Sequence, residues 1–122
     1  MRTTKSMNMT TLFGIPNCDT VKKAKKWLES NEVEFTFHDY RKEPLPANTL
    51  EMWIAEVGQD KLLNTRSTTW RNLPDEDKAD LTDVRVVKLL RDNPTLIKRP
   101  VLVHTNGIEV GFKDNQYEAL FA

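Results

Sequence analysis

The chain has 122 residues, and its eighteen basic and eighteen acidic side chains cancel, so no net field draws it toward nucleic acid or a membrane surface. With 39% hydrophobic and 30% charged residues it reads as one globular domain around a single core, and no apolar run reaches membrane-spanning length. One cysteine excludes an internal disulfide and points to a reducing, cytoplasmic setting.

Residues 1–8 carry basic charge without an apolar stretch behind it, which reads as a leader or disordered tail and not a secretory signal. The folded domain is expected to span 9–122. "MTTLFGI" (9–15) is short and rich in β-branched and aromatic residues, the composition of a strand. After "PNC", the run "DTVKKAKKWLESN" places Val21, Ala24, Trp27 and Leu28 on one helical stripe. Asp19 and Thr20 suit its cap or first turn, and Asn31 suits its C-cap. "VEFTFHDY" alternates Val33, Phe35 and Phe37 against polar residues, the period of a half-buried strand. The first forty residues therefore spell βαβ, with parallel strands and a right-handed crossover.

"RKEPLPANT" is a loop, "LEMWIAEVG" a helix ended by Gly58, and "QDKLLNTRSTTWRNLPDED" has no clear period. "LTDVRVVKLLRDNP" is helical, with Val84, Val87, Leu89 and Leu90 expected inside and Pro94 ending it. "VLVHT" and "IEVGF" flank Asn106-Gly107, a strong hairpin signal. "DNQYEALFA" closes the chain as a helix. The fold class is thus α/β, a thioredoxin-like βαβ…ββα core with a helical insertion over about 43–95.

In that order of elements the redox cysteine occupies the first strand-to-helix turn, where Cys18 stands. The thiolate is the nucleophile, and a helix N-terminus is one of the few places that stabilises it. A helix end contributes about 0.3–1 kcal/mol, or about 2 in a partly buried site, so an arginine or further hydrogen bonds must add to it. Otherwise Cys18 is a small buried hydrophobe. Arg66 in "LLNTRSTTW" and Arg99 in "IKRPVLV" are the candidate helpers. Arg99 precedes Pro100 at the mouth of a strand, where thioredoxin-like folds carry a cis proline facing the cysteine.

His38 and His104 lack carboxylates or further histidines at ligand spacing, so no metal site is expected. Trp27, Trp53 and Trp70 read as core or half-core residues. "KKAKK" (22–26) is a solvated helix face whose lysines raise the potential near Cys18.

Together, "GIPNCDTVKKAKKWL", "LLNTRS", "IKRPVLV" and "NGIEVGF" resemble the arsenate reductase (ArsC)/Spx family, and most of all its YffB-type members, regarded as glutathione-dependent thiol reductases. The resemblance implies catalytic roles for Cys18 as nucleophile and for Arg66 and Arg99 as anion-binding arginines. It also implies Asn17, Pro100 and Lys113 as further residues of the substrate or glutathione site. Glutathione is the implied co-substrate, with glutaredoxin as a second thiol partner and no bound cofactor. Two departures stand out. Where arsenate reductases bring a third arginine from the hairpin, this chain has Phe112 and Lys113, and lysine is a point charge without the bidentate fork. Where Spx regulators often carry a second cysteine, three residues after the first, it has Val21. The expectation is a glutathione-dependent monothiol reductase. The alternatives are an arsenate reductase, or a Spx-like regulator bound to RNA polymerase.

Overall fold

The computed structural model describes residues 10–104 and 107–121. The expected leader, Met9 and the residues at the tip of the Asn106-Gly107 hairpin turn (105–106) lie outside them. The chain divides into two compact units, one of residues 1–40 with 99–122 and one of residues 41–98. Among the described residues no helix is long and apolar enough to cross a membrane.

The first unit is built on a mixed sheet of four short strands: β1 (Thr11–Gly14), β2 (Thr36–Asp39), β3 (Val101–His104) and β4 (Gly107–Val110). Their order is β2-β1-β3-β4, with β1 parallel to β2 and antiparallel to β3, and β3 antiparallel to β4. Two helices complete it, α1 (Asp19–Ser30) between β1 and β2 and a C-terminal helix over Asp114–Phe121. This is the thioredoxin-like arrangement expected from the sequence. Its core joins Leu12 and Leu102 of the sheet to Val21, Ala24 and Leu28 of α1 and to Tyr117. The lysines of α1 face outward, apart from Lys25, whose ammonium lies 4.5 Å from the centre of the Phe37 ring. Trp27 and Phe112 both meet Tyr117 edge-on.

Strand β2 is shorter than its alternating pattern. It starts at Thr36 because Asn31 caps α1 and Glu32 takes a left-handed turn (φ 60°), so Val33 is used in closing the helix end through its bond to the Leu28 carbonyl.

The second unit packs α2 (Ala47–Val57) beside a ten-residue helix over Asp83–Asp92. Between them run three single-turn helices, α3 (Gln59–Leu62), α4 (Thr68–Arg71) and α5 (Asp75–Lys78). The ten-residue helix is then α6, and the C-terminal helix of the first unit is α7. Leu50, Trp53, Ile54, Leu62, Val86, Val87 and Leu90 are buried. Val84 is 79% exposed, against expectation, and Leu89 is only half-buried. Thr82 caps α6 by accepting from the Arg85 N–H, and the buried stripe runs through Val86, Val87 and Leu90. Val84 lies about 200° around the helix from Val86, off that stripe.

Candidate functional site

Residues 15–18 form a tight connection from β1 into α1. The Cys18 N–H donates to the Ile15 carbonyl at 3.1 Å, and the Cys18 carbonyl accepts from the Lys22 N–H at 3.0 Å. Cys18 is therefore the N-cap of α1, extended at φ −86° and ψ 127°, and its side chain makes no capping bond. Asp19 and Thr20 are first-turn residues. The thiol is half-buried and free, packed against the edge of the core. Pro16 and Asn17 are exposed.

Gly14 holds this loop close to the helix. A Cβ there would stand 2.8 Å from Val21 Cγ2 and 3.2 Å from Cγ1, so the strand end and first helical turn approach more closely than any other residue permits. Position 21 is thus a packing position.

The strand directions bring several loops to the same sheet edge. β1 and β2 end there, β3 begins there and β4 ends there. Cys18 follows β1 and Tyr40 follows β2, while the Arg99–Pro100 peptide, which is cis, precedes β3. The β1–β2 register pairs Gly14 with Asp39, and β1–β3 pairs Phe13 with Val101. Continued by one step on the β2 side and two on the β3 side, these registers put Tyr40 and Arg99 on either side of Ile15. Arg99 is half-buried and Pro100 buried. The Gly111 N–H donates to the Pro100 carbonyl at 2.8 Å, so the chain leaving β4 passes beside the proline, and exposed Lys113 follows two residues later.

Tyr40 was not singled out by the sequence. It is 1% exposed and its hydroxyl has no regular hydrogen bond. Burial pushes the phenol well above the usual tyrosine range, and the Arg99 guanidinium opposes that rise.

Arg66 belongs to the second unit and is exposed there; its N–H donates to the Asn64 side chain at 3.1 Å. Asn64 in turn donates its N–H to the Leu96 carbonyl at 2.7 Å, tying the Arg66 loop to the segment after α6. His38 packs against Phe13 with the rings tilted by 38° and their centres 5.0 Å apart. His104 is buried near Phe121, and burial holds its imidazole below the ordinary histidine range, with Glu109 opposing. Among the described residues no group of three or more His, Cys, Asp and Glu side chains could hold a metal ion. Trp53 is buried, and Trp27 and Trp70 are half-buried.

The profile of the ArsC family matches residues 13–120. The chain belongs to the ArsC family. Among solved structures it is similar to the YFFB protein, with 40% identity and a TM-score of 0.89 over 93% of this chain and all of that one. It is also similar to an arsenate reductase (ArsC) related protein from Brucella melitensis, with 43% identity and a TM-score of 0.73 over 93% and 94% of the two chains. The global transcriptional regulator Spx of Streptococcus pyogenes is 30% identical over 93% of this chain and 86% of its own. The ArsC match takes in the Cys18 loop, Arg66, the Arg99–Pro100 peptide and Lys113. Its members bear both enzyme and regulator names.

Proposed function

We propose that this ArsC protein is a glutathione-dependent monothiol reductase with Cys18 as its nucleophile. The observation that carries the reading is that the half-buried thiol at the N-cap of α1 and the Arg99–Pro100 peptide are brought to one sheet edge by the strand directions. The helix end and the arginine both favour an anion there.

In the proposed cycle the Cys18 thiolate attacks the glutathione sulfur of a glutathionylated substrate. A Cys18–glutathione disulfide forms, and the substrate leaves as a thiolate that takes up a proton from water. The chain has no second cysteine, so this adduct waits for an external thiol. A glutathione thiolate attacks it, forming oxidised glutathione and returning the Cys18 thiolate. The substrate gains the electrons and glutathione supplies them. Arg99 holds a carboxylate of the bound glutathione beside the sulfur. Arg66 is assigned a second anion-binding role from the ArsC resemblance, and Asn17 and Pro100 line the approach to Cys18. Glutaredoxin is a further candidate for the resolving thiol.

Turnover of a glutathionylated peptide, followed as oxidised glutathione released, tests the reading. The wild-type protein should turn over with reduced glutathione and Cys18→Ser should not. Equal rates in the two would refute it.

Arsenate reduction is the second reading, favoured by exposed Lys113, two residues after the Gly111 that bonds the Pro100 carbonyl, and by the arsenate reductase-related neighbour. It requires two electrons, from two glutathiones per arsenate. Fast arsenate turnover abolished by Lys113→Ala would put it first. The kinship with Spx supports a regulatory role instead, and a regulatory function that survives Cys18→Ser would favour that.

A further inference from the structure

Tyr40 is a buried phenol that the proposed chemistry does not use. Its ring is packed away from solvent at 1% exposure, and its hydroxyl makes no well-formed hydrogen bond, with the Arg99 side chain the one hydrogen-bonding group that acts on it. A buried hydroxyl without a partner costs about 1–3 kcal/mol, so few survive in a fold without a reason. The charged or ionisable groups acting on this phenol are Arg99, Cys18 and Asp39, with Arg99 the strongest. A guanidinium only donates hydrogen bonds. It can satisfy the phenol oxygen but leaves the phenol hydrogen without an acceptor. Asp39 could accept that hydrogen and makes no bond to it. Burial also keeps the phenol protonated well beyond neutral pH, so Tyr40 is a neutral donor whose hydrogen lacks a destination.

We propose that Tyr40 completes the anion site at Cys18: its oxygen accepts from Arg99, and its O–H donates to an oxyanion of the bound substrate. This rests on the reductase reading above and deepens it. The sheet register supports the placement, since the β1–β2 and β1–β3 registers, continued by one and two residues, put Tyr40 and Arg99 on either side of Ile15, and Cys18 lies three residues beyond Ile15. The ligand chemistry is an oxygen anion, either a free tetrahedral oxyanion over the sulfur or a carboxylate of glutathione.

The test is protection of Cys18 from iodoacetamide by sulfate, and separately by S-methylglutathione, in the wild-type protein and Tyr40→Phe. The phenylalanine keeps the ring and removes one oxygen. The protecting concentration of at least one ligand should rise about tenfold in Tyr40→Phe, the loss of one hydrogen bond to a charged group. A shift with sulfate assigns the donor to an oxyanion over the sulfur; a shift with S-methylglutathione alone assigns it to a carboxylate. The melting temperature of Tyr40→Phe should stay close to that of the wild type, because the ligand-free fold gives the phenol hydrogen no acceptor. Equal protection in the two proteins, no protection of the wild type by either ligand, or a marked fall in melting temperature overturns the proposal. The reductase reading fails separately, if oxidised glutathione does not modify wild-type Cys18.

Discussion

Replacing Gly14 by alanine tests the coupling between the sheet and the helix that carries Cys18. The added methyl would meet Val21 Cγ2 at 2.8 Å and Cγ1 at 3.2 Å. Valine in a helix has one strongly preferred rotamer, so the contact cannot be relieved by turning the side chain. The first turn of α1 must move by several tenths of an ångström, an overpacking strain of about 1–3 kcal/mol. At an unfolding entropy of about 2.1 cal/mol/K per residue, each kcal/mol lowers the melting temperature of a 122-residue chain by about 4 °C. Gly14→Ala should therefore melt about 4–12 °C lower. The diagnostic measurement is the double-mutant cycle with Val21→Ala, read by urea denaturation. Val21→Ala removes both clashing methyls and leaves a space the alanine methyl partly fills. The double variant should be less destabilised than the sum of the singles by about 1 kcal/mol or more. Strict additivity would refute the close-approach argument.

Arg99→Ala should weaken glutathione or oxyanion binding by about 1–3 kcal/mol, with Arg99→Lys recovering only part because it loses the bidentate fork; isothermal titration with a stable glutathione analogue checks it, and intact binding would remove Arg99 from the site. Thr82→Ala removes the α6 cap at Arg85 N–H and should cost about 0.5–2 kcal/mol in urea unfolding. Val84→Ser, at a 79% exposed position, should stay within about 0.5 kcal/mol of wild type, whereas Val87→Ala should not. Burial lowers the folded-state pKa of His104 below its unfolded value near 6.5, so the unfolded chain binds the proton first. Its contribution to stability should be complete above about pH 6.5 and be lost as pH falls through the lower folded value, an effect reduced in His104→Gln; equal pH dependence in both proteins would contradict it.

The parts of the fold legible in the sequence were those with local punctuation. Pro16, Asn17 and Asp19 bracket Cys18 and mark a strand-to-helix turn, and Arg99–Pro100 marks the mouth of β3. The stripe of α1 is long enough to set its own phase, and Val21, Ala24 and Leu28 are all buried. In α6 three valines, Val84, Val86 and Val87, lie close together, and the buried stripe set from the Thr82 cap takes in Val86 and Val87 and leaves Val84 outside. The single-turn helices α3 to α5 have four residues each, too few for any period to show. Tyr40 was missed for a different reason. At the end of an alternating run an aromatic reads as one more strand residue, and only the parallel pairing of β2 with β1 brings it to the same edge as Cys18. Arg66 was a candidate helper from the sequence, but its anion-binding role and that of Lys113 came from the ArsC resemblance, because an exposed loop cation has no local signature that separates a ligand from a solvated charge.

The central claim is that Cys18 is an accessible nucleophile that forms a lasting adduct with glutathione. Mass spectrometry of the folded protein after incubation with oxidised glutathione tests it most directly. One glutathione should add per chain, a gain of about 305 Da at Cys18, and reduced glutathione should remove it. A folded protein that stays unmodified in excess oxidised glutathione, yet reacts once unfolded, would show that Cys18 is an inert packing residue.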